Sequence, residues 1–386
     1  MSPPQPTGRA AALSDFVTHL RTLVDAESPS ADPAAVTAAQ DVLDELGSQL
    51  LGVRPVRHRD VLSLEWRLGD PDDDRRVLLL GHLDTVWPLG TLARRPLDVA
   101  DGRVTGPGIF DMKAGVVVGL HVLAELGKEV PVSLLVTGDE EIGSVTSRSL
   151  IERAAHGSQA CLVLEGARPD GAVKSARRGW SFYTVEFHGV AAHAGLEPDN
   201  GVNVLPALAD AVVQVGRIRA EFPGATLNPT TARAGTTSNT IPDHGAVTVD
   251  VRCSTADQQR AVDDAMRQLV DGLAGDVRVD LHGGANRPPM QAGADHGLVD
   301  RLRSTQRRLG FGESGDVSVG GISDANLTAA IGVPTLDGLG AVGGGPHAEH
   351  EWIDLVRTRE RVPTLAALVR DLLDNPLPTR DMAEDT

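Results

Sequence analysis

The chain has 386 residues, more than one hydrophobic core usually organises, so two domains are expected. Its composition, 41% hydrophobic and 23% charged, is that of a globular protein, and no apolar run approaches the roughly 18 residues of a bilayer span. With 36 basic and 53 acidic side chains the net charge is −17, which repels nucleic acid and anionic membranes, so neither is expected as a partner. Met1-Ser2-Pro3-Pro4-Gln5-Pro6-Thr7-Gly8 shows no basic start followed by an apolar core, so it reads as a short disordered tail and not a secretory signal. Cys161 and Cys253 are too few for a disulfide framework or a thiolate zinc site. A cytoplasmic location is therefore expected, and any metal must be held by His, Asp and Glu.

In chain order, Leu13, Phe16, Leu20 and Leu23 have helical spacing, and a second helix is predicted from Pro33 to Leu46. Strands are predicted near 61–66, 77–83, 132–137 and 160–165, with helices near 113–126 and 145–155 between the last three. That alternation predicts an α/β fold with a mostly parallel, helix-covered sheet. After Gly179 the pattern changes to a strand at 180–187, a helix at 202–218, strands at 226–234 and 245–253, a helix at 256–274 and a strand at 277–282. This is the βαββαβ order of a ferredoxin-like α+β unit. Residues 179–286 are therefore read as a domain inserted between two halves, 1–178 and 287–386, of a larger one. In the second half a helix is predicted near 296–309, another from Asp324, a strand at 333–336 and a closing helix at 360–374, before a polar tail from Pro376.

Five segments end an apolar stretch with a hard or borderline metal ligand: His82-Leu83-Asp84, Gly108-Ile109-Phe110-Asp111, Gly138-Asp139-Glu140-Glu141, Val163-Leu164-Glu165 and Gly345-Pro346-His347. Taken singly, each acid reads as a helix cap or a surface charge, Asp111 as an N-cap, and His82 as a packed core histidine. Packing alone gives no reason for acids to follow three buried strands in order, at the edge where open α/β sheets bind ligands. Two imidazoles and several carboxylates suit zinc, cobalt or manganese. The set is large enough for two ions sharing a carboxylate, a pair that polarises a carbonyl and activates water. Adjacent Glu140 and Glu141 fit a division between one ligand and one proton carrier. Gly106-Pro107-Gly108 lets the backbone bend so that Asp111 reaches the ions, and Asp84 is placed to hold the second nitrogen of His82. There is no Gly-x-Ser-x-Gly elbow, and Gly340 to Gly345 lacks the ending of a phosphate loop. His350, three residues after His347, competes with it as a ligand by sequence alone.

Gly81-His82-Leu83-Asp84-Thr85-Val86, Gly106 to Gly115, Asp139 to Ser144, Ala192-His193-Ala194-Gly195 and Ser238-Asn239-Thr240-Ile241-Pro242 resemble the di-zinc aminoacylase/carboxypeptidase family from about residue 13 to 374. Gly-Pro-Gly before Asp111 is most similar to its bacterial glutamate carboxypeptidases, which remove C-terminal glutamate from folates. The resemblance implies that Asp111 bridges two ions, with His82 and Glu165 completing one site and Glu141 and His347 the other. It implies Glu140 as general base, Asp84 behind His82, and the inserted unit as lid and homodimer interface. It also implies that His193 serves the partner subunit's active site and that Asn239, Arg252 and Arg287 hold a substrate carboxylate. The expected reaction is hydrolysis of an amide beside a free carboxylate, in a small molecule or dipeptide-like substrate. An N-acyl-amino-acid deacylase is the alternative, and a catalytically silent metal-binding or dimerising protein a third reading. The chain departs from the folate-cleaving pattern at Ala176-Arg177-Arg178-Gly179, and Lys174 matches a substrate-side lysine only approximately.

Overall fold

The computed structural model describes residues 8–70, 73, 75–273 and 275–377; the tail expected before residue 8, and all but residues 376–377 of the one expected from Pro376, lie outside these. The chain divides into two compact units, one of residues up to 175, 292–318 and 323 onward, the other of 176–291 and 319–322. Residues 176–178 fall in the second unit because Arg177 donates to the carbonyl of Gly321 at 3.0 Å and the Arg178 N–H to that of Val319 at 3.1 Å.

The first unit is built on a six-stranded sheet in the order Val56–His58, Ser63–Arg67, Val132–Thr137, Val77–His82, Ala160–Val163, Thr335–Leu336. The last four strands are parallel and the first two antiparallel, a mixed α/β sheet with a parallel core. Val77 to Leu80 are inaccessible, as an unbroken apolar run in a covered parallel sheet should be. Helix Ala114–Leu126 is apolar almost all round and accordingly buried. Its Gly115 is required by contact: a Cβ there would lie 2.0 Å from the Leu164 carbonyl oxygen, so the helix seats directly against the strand end that presents Glu165.

Three departures from the predicted elements have local causes. The strand expected from residue 61 starts at Ser63 because Arg59–Val61 forms a 3₁₀ turn that closes on Leu62 with φ 44°. The closing helix starts at Leu355, five residues early, because the Asp354 side chain accepts from the Arg357 N–H and caps it. A four-stranded sheet, Gly343–Gly344, Trp352–Asp354, Arg103–Thr105, Asp98–Ala100, has no counterpart in the predictions, since strands of two or three residues show no period of two. It matters for the site. Pairing of Trp352–Asp354 with Arg103–Thr105 brings the turn carrying His347 beside the loop that leads to Asp111.

The second unit follows the predicted βαββαβ order, with an antiparallel sheet Thr226–Ala234, His244–Cys253, Gly179–His188, Arg278–Arg287. Tyr183, Val185 and Phe187 join Val247, Val249 and Val251 in one core with Leu208, Val215, Val262 and Met266 of helices Leu205–Glu221 and Ala256–Gly272. Its last strand runs past the predicted 282 to Arg287, through Gly283 and Gly284, whose positive φ values hide it from a strand pattern. Both cysteines are free and buried. Among the described residues no helix is long and apolar enough to cross a membrane.

Candidate metal centre

His82 is the last residue of the central strand, and its ring is buried. Its Nδ1 lies 3.0 Å from the main-chain carbonyl of Asp84 and 3.4 Å from the Asp84 carboxylate. Asp84 therefore lies beside this nitrogen mainly through its backbone carbonyl. The Asp84 carboxylate, fully buried, accepts from the Ser30 hydroxyl at 2.6 Å and from the N–H groups of Glu140 and Glu141 at 3.1 Å each. Burial alone would raise its pKa, yet His82, Ser30 and the Glu141 N–H outweigh that and hold it below the ordinary carboxylate range. One side chain thus fixes the acidic turn relative to the strand end.

The other nitrogen of His82, Nε2, lies 3.4 Å from Asp111 Oδ1 and 3.6 Å from Glu165 Oε1, longer than good hydrogen bonds. The second carboxylate oxygen of Asp111 lies 3.2 Å from His347 Nε2, which is also 3.1 Å from Glu141 Oε2. Two ligand sets result, His82, Asp111 and Glu165 on one side and Asp111, Glu141 and His347 on the other, each with its ligand atoms within 4.8 Å of one another. Asp111 faces one histidine with each of its oxygens, the arrangement a bridging carboxylate needs. The donor chemistry, one imidazole nitrogen and carboxylate oxygens per set, fits a borderline divalent ion.

The charges agree with that fit. Burial resists a charge on His82, but Asp111, Asp84 and Glu165 together raise its pKa well above the imidazole value. Asp111 and Glu141 push His347 up to about 10. Burial raises Asp111, but both histidines override it and lower its pKa. Burial raises Glu141, with His347 opposing and Asp111 adding to the rise. Without a cation, then, the cluster of acids draws protons onto its histidines.

Glu140 shares the turn with Glu141 and belongs to neither ligand set. Asp139, in the same acidic run, faces elsewhere: it accepts from the backbone and hydroxyl of both Thr146 and Ser147 and so shapes the approach to helix Arg148–Ala155. His350 is exposed and also in neither set among the described residues.

Glu351 was not expected. It is fully buried, and its carboxylate accepts from the N–H groups of Gly108 at 2.9 Å, Phe110 at 2.8 Å and Asp111 at 3.0 Å, and from the Trp87 indole at 3.1 Å. Burial pushes it up to about 7, against three N–H donors that favour its charged form. It clamps the loop whose glycine, Gly108, turns at φ 70° with Thr85 where a Cβ would be. Nothing in its own sequence neighbourhood marks it, because its partners lie 240 or more residues upstream.

The remaining predicted residues lie in the second unit. Short strands Ala192–His193 and Thr240–Ile241 pair, and the Ala194 N–H donates to the Asn239 carbonyl at 2.9 Å, so His193 and Asn239 are neighbours and both exposed. His193 Nδ1 accepts from the N–H groups of Gly195 at 3.2 Å and Leu196 at 3.1 Å. Arg252 grips Asp250 through Nε and a terminal nitrogen at 3.1 Å each and lies over the Trp180 ring. Arg287 is buried at the end of the last strand.

Residues 78–375 match the profile of Peptidase family M20/M25/M40. The chain is 31% identical to carboxypeptidase G2 of Pseudomonas sp. (strain RS-16), the alignment covering 92% of this chain and 88% of that one. It is 26% identical to a succinyl-diaminopimelate desuccinylase of Corynebacterium glutamicum over 94% and 96% of the two chains. Its fold matches that of a Bacillus subtilis protein described as a dinuclear metal-binding peptidase of the M20 family, with a TM-score of 0.68, 16% identity, and 95% and 99% of the two chains covered. The chain belongs to the M20/M25/M40 peptidase family and is a metal-dependent hydrolase of amide bonds.

Proposed function

We propose that this hydrolase holds two divalent ions, zinc by preference with cobalt or manganese able to replace it, and cleaves an amide beside a free carboxylate, as a glutamate carboxypeptidase does. The single observation that carries this reading is Asp111 facing His82 with one oxygen and His347 with the other. His82 and Glu165 hold one ion with Asp111, and Glu141 and His347 hold the second. Bound ions supply Lewis-acid polarisation of the scissile carbonyl and activation of the attacking water. Glu140, on the same turn but outside both ligand sets, takes the water's proton on its carboxylate and returns it to the leaving amine nitrogen. Asp84 orients His82 and steadies the turn on which Glu140 works.

The second unit, 179–286 in the sequence reading, is proposed as lid and homodimer interface. In support, Thr226–Ala234 is an edge strand exposed from 228 to 233, with no strand paired to its outer side among the described residues. His193 is proposed as an oxyanion donor to the partner subunit: because its Nδ1 accepts two N–H groups, the proton of the neutral ring resides on Nε2. Asn239, Arg252 and Arg287 are proposed to recognise the substrate carboxylate, guanidinium forks being apt for that group. A cytoplasmic location completes the proposal, supported by the low cysteine content.

A second reading, N-acyl-amino-acid deacylase, is favoured by the desuccinylase relative. The same centre cuts the same bond in both, so substrate decides. Protein stripped by a chelator and reloaded with zinc, cobalt or manganese is assayed on folyl-glutamates, dipeptides and N-acyl amino acids. The carboxypeptidase reading expects metal-restored release of C-terminal glutamate. Deacylation of many amino acids with no preference for glutamate would favour the second reading, and activity that survives complete metal removal would overturn both.

A further inference from the structure

A polar cavity of about 120 Å³ lies in the first unit, where helices Leu298–Leu309 and Leu355–Asp374 meet the loop at residues 311–314. None of its lining residues belongs to either ligand set. A single water needs about 10–15 Å³ of such space, and drug-sized sites begin at about 300 Å³, so the room suits a ligand of a few atoms.

Its wall includes Arg361, which is only 4% exposed. One terminal nitrogen donates to the Gly171 carbonyl at 2.9 Å and the other to the Ser314 hydroxyl oxygen at 3.3 Å. The Nε N–H is buried and has no acceptor among the described residues. A guanidinium taken out of water normally finds a carboxylate. Arg361 has carbonyl and hydroxyl partners instead, and burial, with Arg357 repelling it and Glu360 opposing, brings its pKa down to about 10. Arg357, one helical turn earlier in the same wall, spends its terminal nitrogens on the carbonyls of Pro169 at 2.8 Å and Asp170 at 2.7 Å. Of the two lining acids, Glu313 pairs with Arg307 at 2.6 Å. That leaves Glu360 set against two guanidinium groups.

The hydrogen-bond ledger of the cavity has the same sign. The Ser314 hydroxyl oxygen accepts from Arg361 and from the Gln306 amide at 2.9 Å, so both lone pairs are used and its own proton is left to donate. Gln306 is fixed in turn, its amide oxygen accepting from the Ser314 N–H at 2.8 Å. Both leftover groups, the Nε N–H of Arg361 and the O–H of Ser314, are donors. What the cavity lacks is an acceptor, and beside an excess of positive charge the fitting acceptor is an anion.

We propose that this cavity binds one small oxyanion, a phosphate or a carboxylate-bearing ion of similar size, through Arg361 and Ser314 and apart from the metal centre.

The test uses the protein as purified, dialysed free of oxyanions into a chloride buffer. Inorganic phosphate and acetate are titrated separately at constant ionic strength, followed by calorimetry and by the methyl resonances of Val342 and Thr364, which line the cavity. At least one of the two ions should saturate at one per chain, move both sets of methyls and raise the Tm. The tighter of the two tells phosphate from carboxylate. Ser314→Ala should weaken binding by about threefold to tenfold and Arg361→Gln by about tenfold to a hundredfold, the losses expected of one neutral and one charged hydrogen-bond donor. Arg361→Lys keeps the charge without the fork and should fall between wild type and Arg361→Gln. Should Arg361→Gln fail to fold, Ser314→Ala and the wild-type methyl shifts decide. Absence of saturable binding by either ion, unmoved Val342 methyls, or wild-type affinity in the Ser314→Ala and Arg361→Gln proteins would overturn the proposal. So would shifts confined to Val86 and Ile142, which are exposed beside Glu141 and would place the ion at the ligand sets.

Discussion

The two halves of the proposed metal centre share Asp111 and differ in almost everything else. On one side His82 ends the central strand of a covered sheet, its side chain 2% exposed, and Glu165 follows the neighbouring strand. On the other side His347 sits on a turn at φ 59° with its side chain 50% exposed, and Glu141 sits on a 3₁₀ turn. The first half is positioned by ladder hydrogen bonds and packing, the second by turns reaching in from two loops. Segments with fewer buried contacts open more readily, so the ion of the His82 half should be held as part of the fold while that of the His347 half exchanges. Asp84 and Glu351 are what keep the looser half in register, one by gripping the Glu140–Glu141 turn and the other by gripping the Asp111 loop.

The largest expected effect separates ligand from proton carrier within the looser half. Glu140→Gln should keep the metal content of the wild type and lose about 10²–10⁴-fold in turnover. Metal analysis beside single-turnover kinetics checks this, and near-normal turnover with full metal would remove Glu140 from the chemistry. Next is the asymmetry itself. After dialysis, His347→Ala should retain close to one ion per chain, whereas His82→Ala should lose both more readily. Equal losses would break the comparison. Acid should act on the His347 half with a definite sign. Asp111 and Glu141 raise the pKa of His347 to about 10, so in the metal-free chain it carries a proton at neutral pH that an incoming ion must displace. Affinity at this half should therefore rise with pH up to about 10, by about tenfold per unit for one proton released, and zinc titrations at several pH values measure it. The smallest effect is that of Glu351→Gln. An amide oxygen cannot serve three N–H donors and an indole as a carboxylate does, so metal affinity should fall by about 10–100-fold, the range typical of groups that orient ligands. Loss of thermal stability with unchanged metal affinity would make Glu351 a purely structural residue.

How much of this was legible in the sequence follows the same division. Val77 to Leu80 is an apolar run because both faces of its strand are covered, so His82 announces itself at the end of a recognisable strand, as does Glu165 after Ala160–Val163. The acidic pair is legible for the same reason, standing just past Val132–Thr137. The inserted unit was legible in its order of elements, since strands of nine or ten residues and helices of 17 carry clear periods. Asp139 misleads: its place in the acidic run suggests a ligand, and only the positions of Thr146 and Ser147 commit it to the turn before helix Arg148–Ala155.

By itself, then, the sequence determined which acids and histidines stand at the ends of buried strands, because burial on both faces imposes a local composition that a reader can recognise. Only the tertiary structure decided that the two oxygens of Asp111 divide between His82 and His347, that a sheet of two- and three-residue strands carries His347 to Asp111, and that Glu351 holds the Asp111 loop. These depend on hydrogen bonds and on backbone pairing between segments some 240 residues apart, such as Glu351 with Gly108 and Phe110. A single carboxylate reaching across that distance leaves no period, spacing or composition in its own stretch of chain, so it becomes visible only when the fold has brought both segments together.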